Sequence, residues 1–348
     1  MVKSITSVSN SVSSLETNQF IVLTSINSPT NAVKKISEIY NHHLIVIGDK
    51  KTPDPWALKN VSFLSVHEQQ ELGFNLTKKL PFNHYARKNL GYLSAIKYGA
   101  ELIIDTDDDN FPKENWGIPD FCGNYLTTSK NLGFINVYKS FTDMHIWPRG
   151  FPLDLIQSAT SILKPSDLDK CLVNIGIWQG LADGDPDVDA IYRLVDNTPC
   201  FFQEREPIVL GKGTISPFNS QNTAFQKQLF PLLYLPSFVN FRFTDILRGL
   251  IAQPIMWLYD YQLGFTKATV IQERNPHDYI KDFESEIPCY LNSCRVIDIV
   301  TKSISSSLSI PSNLYQAYEA LLQANIVTRK EISLLSLWLK DLSELGFS

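Results

Sequence analysis

The apolar positions of this chain change texture along its length. Over roughly the first hundred residues, short unbroken apolar runs alternate with segments whose apolar positions recur at helical spacing. The runs "FIVLTSI" (20–26), "HLIVIGD" (43–49), "VSFLSV" (61–66) and "ELIIDT" (101–106) predict strands. The turn-and-cap signal "NSPTN" precedes a helix over 32–41, and "KKTPDPW" stops the second strand. A further helix is predicted over 84–100, with Leu90, Leu93, Ala95, Ile96 and Ala100 on one side. Continuous apolar strands alternating with helices predict an α/β fold whose parallel sheet is covered on both faces. Ligands of such sheets sit at the carboxyl ends of the strands.

The middle is less regular. Residues 133–141, 171–180 and 267–275 read as strands, and 243–264 as a long helix interrupted by Pro254 and stopped at Gly264. After about Val300 two amphipathic helices follow, over 313–325 and 328–345. Thr328 caps the second, and Leu334, Leu335, Leu337, Trp338 and Leu342 are its candidate buried positions. The expected organisation is a flexible tail (1–18), an α/β domain (19–299) and an appended C-terminal helical extension (300–348) that the chemistry can do without.

Composition narrows the class. With 44% hydrophobic and 19% charged residues the chain is ordinary globular material, and a net charge of -5 argues against nucleic acid as partner. No apolar run is long enough to span a membrane, and the polar, Ser-rich N-terminus lacks the apolar core of a secretory signal. The five cysteines fit no zinc spacing, so reduced thiols and a cytoplasmic location are expected.

The candidate chemistry lies in "ELIIDTDDDNFP" (101–112), where Asp105, Asp107, Asp108 and Asp109 crowd the end of a predicted strand. Adjacent carboxylates repel and raise one another's pKa unless a cation neutralises them or water solvates them. At two-residue spacing Asp107 and Asp109 share a side and suit Mn²⁺ or Mg²⁺, hard ions that take further oxygens from water and phosphate. Asp108 points elsewhere, toward a ribose or a backbone amide. Asp105 lies inside the strand and orients Arg87 or a ligand carboxylate. No dinucleotide fingerprint, P-loop, HExxH or GxSxG motif competes.

The order of "LTSIN", "LIVIGDKKTP", "ARKNLGYLSAIKYGAELIIDTDDDN" and "RFTDILRGLIAQ", with "QERNPHD" after it, resembles the STELLO glycosyltransferase-like proteins. It is more distantly similar to the reversibly glycosylated polypeptides, which include UDP-arabinopyranose mutases. The likeness covers about residues 20–280 and leaves the C-terminal helices outside. The STELLO proteins are Golgi membrane proteins, whereas no membrane segment is read here. The resemblance implies a GT-A fold, an αβα sandwich that binds a nucleotide sugar, with a metal-binding DxD at the end of a central strand. It places Trp178 and Gly180 near the donor sugar, Arg87 on phosphate or base, and Asn27 and Asp49 near base and ribose. Asn27 and Asp49 serve equally well as turn-formers, and Lys88 is expected to face solvent. It brings His277 to the metal as a third ligand, a surface His being the alternative. It gives Asp245, at the start of a helix, the part of general base, the alternative being a first-turn acid without chemistry. Asn219, Ser220 and Asn222 are candidate acceptor contacts. The acids Asp183, Asp185, Asp187 and Asp189 lack the full calcium-loop pattern and read as a solvated loop.

The function these expectations compose is a metal-dependent glycosyltransferase, moving a sugar from a nucleoside diphosphate donor, UDP foremost, to a glycan or other hydroxyl with inversion. The rivals are a nucleotide-sugar mutase and a non-catalytic scaffold. The C-terminal helices offer a surface for homo-oligomers, and a chain ending near Val300 is expected to keep nucleotide binding.

Overall fold

The first four apolar runs form the strands β1 (Gln19–Thr24), β2 (His43–Ile47), β3 (Val61–Leu64) and β4 (Leu102–Thr106). They pair in parallel in the order β3-β2-β1-β4. The structure is a computed structural model and describes residues 17–114, 116–273 and 277–347. The expected N-terminal tail lies outside these residues as far as position 16. Helices α1 (Asn31–Ile36), α2 (Val66–Glu71) and α3 (Lys88–Lys97) connect the strands. Thr30 caps α1, its hydroxyl accepting from the Val33 amide, and Ser65 and Glu68 form a capping box on α2. α3 lies very close to the sheet: a Cβ on Gly91 would stand 2.5 Å from Val22 and 3.1 Å from Ile47, so only glycine fits there.

Beyond β4 the sheet becomes mixed. Its further strands are β5 (Asn110–Pro112), β6 (Cys122–Thr128), β8 (Leu168–Gly184), β9 (Ile208–Leu210), β11 (Asn222–Gln226) and β12 (Gln262–Gln272). The short β7 (Gly133–Phe134) and β10 (Thr214–Ile215) pair separately. β11 runs antiparallel to both β4 and β8, and β8 changes partner along its length, from β6 to β11 and β12. The expected α/β class, a large central sheet with C-terminal helices, is the one observed. The helix predicted over 243–264 is α5 (Thr244–Trp257), which continues through Pro254 and ends earlier. Gly264 is no helix stop but a strand residue, and the Trp178 ring occupies the space of its missing side chain. Of the strand predicted over 133–141 only β7 forms, followed by a 3-10 turn over Val137–Ser140.

The remaining helices are α4 (Ala190–Val195), α6 (Tyr279–Ser303), α7 (Ile310–Gln323) and α8 (Arg329–Glu344). α6 runs straight across the expected domain boundary at residue 300, and no sequence expectation covered it. The helical extension is also no appendage. Trp338, Leu335 and Leu342 of α8 are buried in the same core as Phe230, Leu233 and Tyr234 beneath the sheet. The Trp338 indole donates to the Pro231 carbonyl at 3.1 Å. The buried Glu331 carboxylate accepts from the Tyr234 hydroxyl and from the backbone amides of Ser237 (3.0 Å) and Phe238 (2.6 Å). Asp341 accepts from the amides of Asn75 (2.7 Å) and Leu76 (2.9 Å). Two carboxylates of one helix thus satisfy loop amides that burial would otherwise orphan.

Candidate active site

The carboxyl ends of β1, β2 and β4 open into a cleft of about 330 Å³, closed on its far side by the start of α5. Its floor combines the acidic turn after β4 with Ser25, Asp49, Tyr85, Arg149 and Asp245. A side pocket of about 190 Å³ joins Asp107 to Asp245 past Arg149 and Arg242.

The acidic turn is held by its own counter-charges. The Lys88 ammonium, wholly buried, donates to Asp105 Oδ1 (2.8 Å), Asp107 Oδ1 (2.7 Å) and the Ser220 carbonyl (3.2 Å). Arg248 on α5 donates to the other Asp105 oxygen at 2.8 Å. Burial pulls the Lys88 amine down, but Asp105 and Asp107 outweigh it and hold the group charged. Asp108 is tied back, its carboxylate accepting from Ser25 Oγ (2.5 Å) and Asn27 Nδ2 (3.1 Å) and its carbonyl from Thr30 Oγ1 (2.6 Å). Asp109 accepts from Gln272 on β12 at 3.3 Å. Burial pushes the Asp107 carboxyl up to about 7, with Lys88 opposing and Asp109 reinforcing.

Across the cleft, Asp245 sits in the first turn of α5, 4% exposed. Arg149 donates to both its oxygens, at 3.1 and 2.9 Å, and to both oxygens of Asp187, at 2.8 Å each. The Tyr85 hydroxyl donates to Asp245 Oδ1 at 3.2 Å. Burial raises the Asp245 carboxyl, but the Arg149 guanidinium, with help from Arg248, holds it below the usual carboxylate range. Asp245 is therefore ionised at neutral pH, and its basicity is weakened.

Several sequence expectations are corrected here. Lys88 does not face solvent; it is the cation Asp105 binds, together with Arg248, and not Arg87. Arg87 is buried at the cleft wall, where Gln69 and the carbonyls of Leu80 and Pro81 hold its guanidinium. Trp178 and Gly180 turn away from the cleft. Trp178 is fully buried against Tyr125 and Gly264, because strand alternation gives the opposite face to Gln179, which bonds Asn219 and Thr223. The loop of Asp183, Asp185, Asp187 and Asp189 is not solvated: its acids pair with Lys113, Arg193, Arg149 and the Trp147 indole. Asn27 stands at the rim and Asp49 in the lining, where Asp49 accepts from the Lys50 and His84 amides as a turn-former does. Asn219 lines the cleft and Ser220 its side pocket, whereas Asn222 is buried against Thr269. His277 lines the cleft, its Nδ1 3.0 Å from Asp282, and among the described residues no three His, Cys or carboxylate groups are arranged to hold a metal ion. Residues 274–276 of the "QERNPHD" segment lie outside the described residues.

Residues the sequence did not offer are Tyr85, Arg149, Arg242 and Ser25. The only signal for Arg149 is a lone charge in the apolar, Pro/Gly-punctuated run "IWPRGFP". His84, beside Tyr85, carries a pH signature. Its Nδ1 accepts from the Ala86 amide at 3.0 Å, which requires an unprotonated nitrogen. Burial pulls the ring down to about 4 from its usual 6.5, with Asp49 opposing. A base with a depressed folded pKa contributes stability that is complete above pH 6.5 and is lost as pH falls toward 4. An imidazole titration followed by NMR is expected to show His84 still neutral at about pH 5. A midpoint at the ordinary value would mean that this cap does not form in solution.

Comparison with known proteins follows the same line. The family model described as STELLO glycosyltransferases matches residues 242–348, from the start of α5 through α8. The C-terminal helices thus lie inside the family match, not outside it. The chain is 28% identical to the "Probable glycosyltransferase STELLO1" of Arabidopsis thaliana, over 95% of this chain and 45% of that protein. It is 27% identical to the "Probable glycosyltransferase STELLO2" of the same plant, over 96% of this chain and 46% of that protein. The chain therefore spans less than half the length of these relatives. A "Probable inactive UDP-arabinopyranose mutase 2" of Oryza sativa subsp. japonica is 23% identical over 61% of each chain. Among the described residues no helix is long and apolar enough to cross a membrane. The likeness read from the sequence holds: the chain is similar to the STELLO glycosyltransferases over almost its whole length and carries their family segment in its C-terminal third.

Proposed function

We propose that the cleft binds a nucleoside diphosphate sugar, UDP-linked, and transfers the sugar to an acceptor hydroxyl with inversion. The observation that carries this reading is the meeting, in one cleft, of the acidic turn at the end of a parallel strand with an ionised carboxylate, Asp245, on the facing helix.

The acidic turn fits a hard divalent ion. Asp107 and Asp109 offer carboxylates to the same cleft, beside Asp108 and His277. Mg²⁺ and Mn²⁺ need only one or two protein carboxylates beside phosphate and water, so a third protein ligand such as His277 is not required. When bound, such an ion neutralises charge developing on the leaving diphosphate. The protein's own part is positional. Arg242 and Lys51 line the cleft and meet the diphosphate electrostatically. Asp245 accepts the hydrogen bond of the acceptor hydroxyl. The hydroxyl oxygen of the acceptor attacks the anomeric carbon, the bond to the diphosphate breaks, and the hydroxyl proton passes to Asp245. Arg149 and Tyr85 fix the carboxylate's direction and weaken its basicity, so the proton moves late, as the diphosphate departs. The side pocket between Asp107 and Asp245 gives an acceptor room, which a mutase does not need.

Calorimetry of UDP binding tests the reading. UDP is expected to bind at least about tenfold more tightly with Mn²⁺ than with EDTA, and Asp109→Ala to erase the difference. Equal affinity in the two buffers for the wild-type chain would remove the metal from the mechanism.

A further inference from the structure

A fully buried lysine at the foot of a nucleotide cleft is costly unless its charge is used. Lys88 uses all three of its protons, on Asp105, Asp107 and the Ser220 carbonyl. Those three bonds do two things. They tie the Asp107 carboxylate down through Oδ1. They also place a permanent positive charge against the first acid of the "DDD" turn. Asp105 cannot release Lys88, since it is itself clamped from the other side by Arg248 at 2.8 Å.

We propose that Lys88 is a positioning residue that acts as the resident counter-ion of the acidic turn. It orients Asp107 and keeps the turn's affinity for a bare divalent ion low, so that the ion is taken up together with the diphosphate. This rests on the donor-site reading given above. A bare cation entering the turn meets the ammonium behind Asp107. A cation already carrying two phosphate charges meets much less repulsion, because the complex as a whole is no longer cationic. The chain gains an Asp107 held in one place before the ligand arrives, and loses affinity for metal without nucleotide.

The test is calorimetric and needs no turnover. In the wild-type protein, Mn²⁺ alone is expected to bind at least about tenfold more weakly than Mn²⁺ in the presence of saturating UDP. Lys88→Met is expected to raise affinity for bare Mn²⁺ by about tenfold or more. It is expected to narrow the gap between the two conditions, an effect that mere structural damage would not produce. Lys88→Gln, whose side-chain N–H groups can still donate to Asp105 and Asp107 without the charge, keeps the comparison open if Lys88→Met does not fold. Lys88→Arg retains the charge and is expected to keep the wild-type preference. Unchanged or weaker binding of bare Mn²⁺ in a folded neutral variant, Lys88→Met or Lys88→Gln, with UDP still bound in the presence of Mn²⁺, overturns the role of Lys88 alone. Failure of the wild-type chain to bind UDP in either buffer overturns the donor-site reading, and this inference with it.

Discussion

A chain cut after Val300 is expected not to fold. The sequence presents the last two helices as a detachable amphipathic piece, but the structure makes them one wall of the core. Truncation would remove Trp338, Leu335, Leu342, Tyr318 and Leu321, all buried. Replacing a single large core side chain by alanine costs roughly 2–5 kcal/mol, and a whole domain is stable by about 5–15 kcal/mol. Losing several such side chains at once therefore exceeds what a domain holds in reserve. The loss is not only apolar. Without Glu331 the amides of Ser237 and Phe238 have no acceptor, and without Asp341 those of Asn75 and Leu76 have none, each a penalty of about 1–3 kcal/mol if it stays buried. The 237–238 segment leads directly into Phe241 and Arg242 at the cleft, so a partial fold would lose the site as well. The check is soluble yield with thermal melting of a chain ending at residue 300. A cooperative transition near that of the full chain, with UDP binding intact, would show that the extension is separable after all.

Asp245→Asn is expected to lower transfer by on the order of 10² to 10⁴ while donor binding survives. That range is roughly 3–5 kcal/mol of barrier. The amide keeps the shape and can still accept one hydrogen bond from Arg149, but it cannot take the acceptor's proton. Breaking a buried ion pair is usually severe because a charge is left alone. Here Arg149 retains both bonds to Asp187, so the variant is expected to fold with a loss of about 1–3 kcal/mol. Release of UDP from a panel of UDP-sugars, beside calorimetry of UDP itself, separates the two effects. Turnover at the wild-type rate would take Asp245 out of the chemistry and favour a retaining transfer or a mutase.

The four parallel strands were legible because each is an unbroken apolar run, and the acidic turn because it ends one of them. What was not legible depends on parity or on distance. Trp178 lies in a strand correctly anticipated, yet its side follows from the strand's register against β11 and β12, which local sequence does not carry. Lys88 looked solvent-facing because it lies off the apolar stripe of Leu90 and Leu93. Both faces of α3 are in fact covered, and a lysine is buried there because an aspartate of β4 awaits it. Arg149 and Asp245 stand 96 positions apart, so no local pattern links them. The helix over Tyr279–Ser303 escaped because Pro288 and a largely polar sequence mask its period.

The triplet of Lys88, Asp105 and Arg248 also bears on how this chain can drift in sequence. All three are buried, and each satisfies charge on another. Changing one alone strands an ion in a dry interior, whereas exchanging them for neutral groups of matching shape is tolerated far better. The first step on any such route is therefore the worst one. The three positions are coupled and change together, although they lie on three separate elements.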